Sequence, residues 1–135
     1  MIKKSCILLF VLGFGASFIA HAQDQEKPTN CEDVQYGTFI LEDKKTNYKA
    51  RITRKDSIQI EYDMVKNLSS TYRVTWLDPC TYTLQIIETE QDFPPEFNDI
   101  IMAVAIRSIK SDTVYFDIGS VEFGVSSFYM IKTQE

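Results

Sequence analysis

The sequence predicts an all-β domain of about eight short antiparallel strands, closed as a small up-and-down barrel or stacked as a sandwich, with one short helical turn. Three hairpins predict it. From Tyr72 to Ile86, apolar and polar residues alternate on both sides of Asp78-Pro79, and period two is the mark of a strand with one buried face. The same alternation flanks Lys55-Asp56-Ser57 and Lys110-Ser111-Asp112. Closure into a barrel is the leading arrangement because it hides both sheet edges. Eight strands leave an interior either filled by side chains or able to hold one small ligand.

In chain order, Lys3 and Lys4 precede an apolar run from Cys6 to Ala20 that ends in Ala20-His21-Ala22. A charged start, an apolar segment short for a bilayer span and an A-x-A pattern read as a signal peptide over residues 1–22, cut after Ala22. Neither Cys6 nor Cys31 has the small-apolar context of a lipid-attachment site, so a soluble product in the periplasm or outside the cell is expected. Residues 23–30, Q-D-Q-E-K-P-T-N, are a polar leader. A single β-domain follows over residues 31–135.

Cleavage would remove His21, the chain's one histidine, and with it the Ser/His/Asp, Cys/His and histidine-metal chemistries. Removing Lys3 and Lys4 as well takes the formal charge from −5 to −7. An acidic exported domain is poorly suited to nucleic acid, which is bound by clustered Lys and Arg. No cofactor or metal is called for. The two cysteines that remain, Cys31 and Cys80, are expected to pair in an oxidising compartment, tying the start of the domain to the central hairpin.

The first strand spans Tyr36 to Leu41. The next hairpin joins Tyr48–Arg54 to Ile58–Met64, and a three-residue loop at Lys55-Asp56-Ser57 sets Ile52 opposite Ile60, Ala50 opposite Tyr62, Arg51 opposite Glu61 and Lys49 opposite Asp63. This register gathers apolar residues on one face and paired charges on the other. Joining the following strand so that Ile60 meets Val74 brings Arg73 to the far side of Glu61, giving an exposed Arg51–Glu61–Arg73 ladder.

In the central hairpin, Trp76 is expected opposite Tyr82, Val74 opposite Leu84 and Thr75 opposite Thr83, with Cys80 turned toward the core or set at its edge. Glu88 and Glu90 continue the parity of the buried face toward the rim, where Pro94 and Pro95 end the strand. Phe97 to Ile109 fits helix or strand. A helical turn at Pro95–Asp99 followed by a strand agrees best with the turn at Lys110-Ser111-Asp112 and the returning strand Thr113 to Ile118. Gly119-Ser120 breaks the chain, Gly124 marks a bulge or bend, and Ser126 to Lys132 is the last strand.

The order Cys31, Gly37-Thr38-Phe39, Arg54, Gln59-Ile60-Glu61, Val74-Thr75-Trp76 and Cys80-Thr81-Tyr82-Thr83-Leu84 resembles a group of small, uncharacterised exported bacterial proteins, some labelled as a DNA topoisomerase IV subunit. The resemblance covers roughly Cys31 to Ile86 and implies no activity. The topoisomerase label does not suit this chain, which is acidic, too short for a DNA gate and without a basic groove. By architecture alone the expected barrel is also similar to lipocalins, although no lipocalin signature stands near the first strand.

Three functions follow as expectations. The first is a non-enzymatic module that takes a small apolar ligand, with Tyr62, Tyr72, Trp76 and Tyr82 as candidate lining; ordinary core packing would use the same aromatics. The second is a structural or interaction domain that meets a protein of the cell envelope through an outer face or strand edge. The third, ranked below both, is a hydrolase working through Glu61, Asp63, Glu88 and Glu90.

Overall fold

The computed structural model describes residues 28–133. The expected signal peptide, and the leader as far as residue 27, lie outside the described residues. A 3-10 turn at Cys31–Val34 leads into β1 (Gly37–Asp43), β2 (Tyr48–Lys55), β3 (Ile58–Asp63), β4 (Leu68–Asp78) and β5 (Thr81–Thr89). A second 3-10 turn, Pro95–Asp99, precedes β6 (Ile101–Lys110), β7 (Thr113–Ser120) and β8 (Gly124–Lys132). Each strand pairs antiparallel with the next, and β8 returns to β1 through Phe39 opposite Lys132 and Leu41 opposite Met130, closing the barrel. Two expectations are met directly: the central hairpin has the expected register at all three pairs, and the ambiguous segment resolves into the 3-10 turn followed by β6.

The turns explain the register. Lys55 pairs with Ile58 and Lys110 with Thr113, so both hairpins close through two residues. Asp56 and Ser111, first in those pairs, have φ of 54° and 56°. A positive φ there matches the right-handed twist of the strands, and Asp tolerates it better than most residues do. Gly124 (φ 73°) serves the β7–β8 connection, where a side chain would be strained.

The two-residue turn at Asp56-Ser57 overturns the expected β2–β3 register by one position. Thr53, not Ile52, lies opposite Ile60, and Ile52 lies opposite Glu61. A one-residue slip turns a strand over. Gln59, Glu61 and Asp63 therefore face the interior, while Ile60, 44% exposed, faces solvent. The Arg51–Glu61–Arg73 ladder does not exist: Arg51 lies over the Tyr62 ring at 5.2 Å on the outer face, and Arg73 pairs with Ile58 and Gln85.

A second correction concerns β5. Tyr72 pairs with Ile86 but Thr71 pairs with Glu88, so Ile87 is an extra residue in a bulge. Beyond it Thr89 turns inward to Ser70, their hydroxyls 2.6 Å apart. Glu88 is thereby exposed, and Glu90 sits at the rim, accepting the Ser69 backbone N–H at 2.8 Å.

The inward residues Phe39, Leu41, Ile52, Val74, Tyr82, Leu84, Val104, Ile106, Val114, Phe116 and Met130 make one continuous core. Cys31 and Cys80 form a disulfide that clamps the first 3-10 turn onto the β4–β5 connection. This turn plugs one end of the barrel.

Candidate functional site

The two ends of the barrel differ in chemistry. At the plugged end Arg54, 1% exposed, follows Ala50 and Ile52 inward along β2. Its guanidinium donates to Gln59 Oε1 (3.0 Å), to the carbonyls of Val34 (3.2 Å) and Gln35 (3.0 Å), and to Tyr82 Oη (2.9 Å). It also lies over the rings of Phe39, Trp76 and Tyr82 at 5.2, 5.6 and 4.6 Å. Burial lowers its pKa from the ordinary value, yet a guanidinium starts high enough to stay charged. The cation is satisfied by carbonyls and rings, so this end is a structural knot.

At the other end the interior is open. A cavity of about 210 Å³ is walled by Leu41, Ile52, Leu84, Val104, Phe116, Ile118 and Met130, among others, with Tyr48, Gln59, Glu61 and Tyr82 as its polar members. A mouth of about 570 Å³ lies above it, bounded by the β1–β2, β3–β4 and β5–β6 connections. Tyr48, Glu61 and Phe128 line both spaces. The Glu61 carboxyl thus sits where the mouth passes into the cavity.

Three carboxylates line the mouth, and the chain uses two of them locally. Asp43 accepts the Lys45 N–H (3.1 Å) and the Thr46 hydroxyl (2.9 Å), which shapes the β1–β2 turn. Asp63, 3% exposed, accepts the N–H groups of Val65 and Lys66 at 2.9 Å and the Gln91 amide at 3.1 Å. Burial alone would raise its pKa, but the hydrogen bonds from Lys66, Gln91 and Val65 outweigh burial and hold it below the usual range.

Glu61 differs. Among the described residues its carboxylate has one donor, Tyr48 Oη. Burial raises its pKa; the Tyr48 hydrogen bond opposes this and the nearby Asp63 adds to it. The phenols of Tyr48 and Tyr72 are pushed up in turn, by burial first and then by the Glu61 charge. This is a half-buried carboxyl held over an apolar space, and among the described residues no cation acts on it.

No family model, no curated protein and no solved structure matches this chain. The functional reading therefore rests on geometry.

Of the four aromatics expected to line a ligand site, Tyr82 borders the cavity and Tyr72 borders the mouth. Trp76 packs at the plugged end, its ring 4.5 Å from that of Tyr82. Tyr62 is turned outward by the β3 register and donates to Asn67 at 2.9 Å. Of the four carboxylates named for acid/base work, Glu61 and Asp63 are brought together at the mouth; Glu88 and Glu90 lie elsewhere. Sequence reasoning did not single out Tyr48, Gln59 or Arg54 as interior residues. Parity carried the signal for two of them, since Tyr48 and Arg54 share the face of Ala50 and Ile52. Among the described residues no group of three or more His, Cys, Asp or Glu could hold a metal ion, and no helix is long and apolar enough to cross a membrane.

Proposed function

We propose that this chain is an exported, non-enzymatic binding protein that takes a small, largely apolar molecule into the open half of its barrel. The observation that carries the reading is the apolar cavity of about 210 Å³ reached through the wider mouth. An apolar cavity of about 150 Å³ is already enough for a benzene-sized guest. Few and localised polar groups in an apolar pocket are the usual make-up of a small-molecule site. Binding without chemistry is supported by the state of the interior carboxylates: Asp63 is committed to the β3–β4 turn, which leaves Glu61 without a second free carboxylate across a cleft. Export is supported by the Cys31–Cys80 bridge together with the leader pattern of the sequence.

Calorimetric titration with 1-hexanol tests the reading. The wild-type barrel should bind it, and Val104→Phe or Ile118→Phe, which fill the cavity from β6 and β7, should bind at least about tenfold more weakly while still unfolding cooperatively. Absence of binding, or equal binding in folded variants, would overturn it.

Interaction with an envelope protein is the second reading, favoured by the apolar outer face near the β7–β8 tip, where Val121 (101% exposed), Val125 (73%) and Ile101 (56%) stand in the open. Val121→Asp with Val125→Asp should then abolish co-purification of a partner without changing hexanol affinity. An unaltered set of co-purifying proteins would remove this reading.

A further inference from the structure

The head chemistry of the ligand follows from what surrounds Glu61. Its carboxyl borders both the cavity and the mouth, so a molecule in the cavity with a polar end toward solvent places that end against it. The titratable groups that face it are Tyr48 from β2, Tyr72 from β4, Tyr82 from β5 and Asp63 from its own strand. None of these is a cation. Among the described residues the buried cation is Arg54, which is absent from the cavity wall and donates to Val34, Gln35, Gln59 and Tyr82. Lys66 borders the mouth at its exposed rim.

We propose that the ligand carries a protonated amine on a small apolar body, the ammonium seated on the Glu61 carboxyl group and the body in the cavity beneath. This rests on the reading of the cavity as a binding site and adds the class of molecule it takes. The arrangement discriminates by charge. An ammonium supplies the counter-ion and the donors that Glu61 lacks, and forms a charge-assisted hydrogen bond in a place poor in water. Tyr48 and Phe128, which line the same junction, bring aromatic rings of the kind that attract cations. A carboxylate head would meet Glu61 and Asp63 with no interior cation to receive it. The site therefore disfavours fatty-acid-like anions, although its apolar wall alone would accept their tails.

The test is a matched set of heads on one body: hexylamine, 1-hexanol and hexanoate, titrated calorimetrically at pH 7 into the full disulfide-bonded domain. Hexylamine should bind at least about tenfold more tightly than 1-hexanol, and hexanoate more weakly than both. In Glu61→Gln the advantage of amine over alcohol should disappear, whatever the absolute affinities. Hexanoate equal to or tighter than hexylamine, with 1-hexanol bound, would overturn the amine assignment and leave the cavity reading standing. An amine advantage that survives in folded Glu61→Gln would also overturn it. Binding of none of the three would overturn both.

Discussion

Replacing Arg54 with methionine tests whether the plugged end is held by its buried cation. Methionine keeps the unbranched stem among Phe39, Trp76 and Tyr82 and removes the donors. Four acceptors lose their partner: the carbonyls of Val34 and Gln35, Gln59 Oε1 and Tyr82 Oη. Hydrogen bonds to a charged group are each worth about 1.5–3 kcal/mol, but they do not add, and the variant is spared the desolvation of a guanidinium, itself several kcal/mol. The net loss should be about 4 kcal/mol, within the range found when one side of a buried charged network is removed. At about 2.1 cal/mol/K of unfolding entropy per residue, a domain of roughly 105 residues would lose about 18 °C in Tm. Urea unfolding at pH 7 without reductant measures it, as a fall in midpoint at constant m. Arg54→Lys should recover less than half, because one ammonium cannot reach acceptors spread over the 3-10 turn, β3 and β5. Exchanging whole buried ion pairs for apolar residues is often neutral, so a loss under about 1 kcal/mol would mean that the acceptors regain water freely. That result would refute the account of Arg54 as the centre of the plug.

Further predictions concern the register, the carboxyl and the bridge. Gln59→Ala should cost about 2 kcal/mol through the lost Arg54 contact, and Ile60→Thr about 0.5 kcal/mol or less, measured by urea midpoints; the opposite order would restore the register with Ile60 inward. Glu61 has its folded pKa raised, so between the ordinary carboxyl range and that raised value the folded state holds more protons than the unfolded, and stability falls as pH rises. Glu61→Gln removes this slope, and its Tm minus that of wild type should therefore grow more positive from pH 4 to pH 8; a difference independent of pH would contradict it. Cys31→Ser with Cys80→Ser opens a link between residues 49 apart and should cost about 4 kcal/mol by chain entropy. Because Arg54 holds the same segment through Val34 and Gln35, a double-mutant cycle of the bridge and Arg54→Met should show coupling above about 0.5 kcal/mol; strict additivity would separate the two.

What was legible in the sequence was whatever obeys the rule that apolar residues face inward. The central hairpin obeys it: Val74, Tyr82 and Leu84 are buried and Trp76 packs against them, so alternation alone fixed the register. β3 breaks the rule, with Gln59, Glu61 and Asp63 inward and Ile60 and Tyr62 outward. The break is tolerable because each inward polar residue has work and a partner: Gln59 receives Arg54, Glu61 receives Tyr48, and Asp63 caps the turn that follows. Those partners come from other strands or from the chain beyond, and no local pattern displays them. The choice between a two-residue and a three-residue turn at Asp56 therefore decided everything downstream on that strand. Hydrophobic periodicity favoured the wrong one.

That failure falls at the residues that make up the candidate site, and physics gives a reason why it should. A strand whose alternation could be read without error would have placed Ile60 and Tyr62 in the interior, and the barrel would then have been a filled apolar core. Carboxyl and amide groups inside the barrel cost desolvation that only partners can offset. Gln59 and Asp63 are well partnered, each held in a network that extends beyond its own strand. Glu61, between them on the same strand, has Tyr48 alone, at the boundary between an apolar space and the mouth that opens to water. The fold thus supports the residues on either side of Glu61 more fully than it supports Glu61 itself. A bound cation would complete the set.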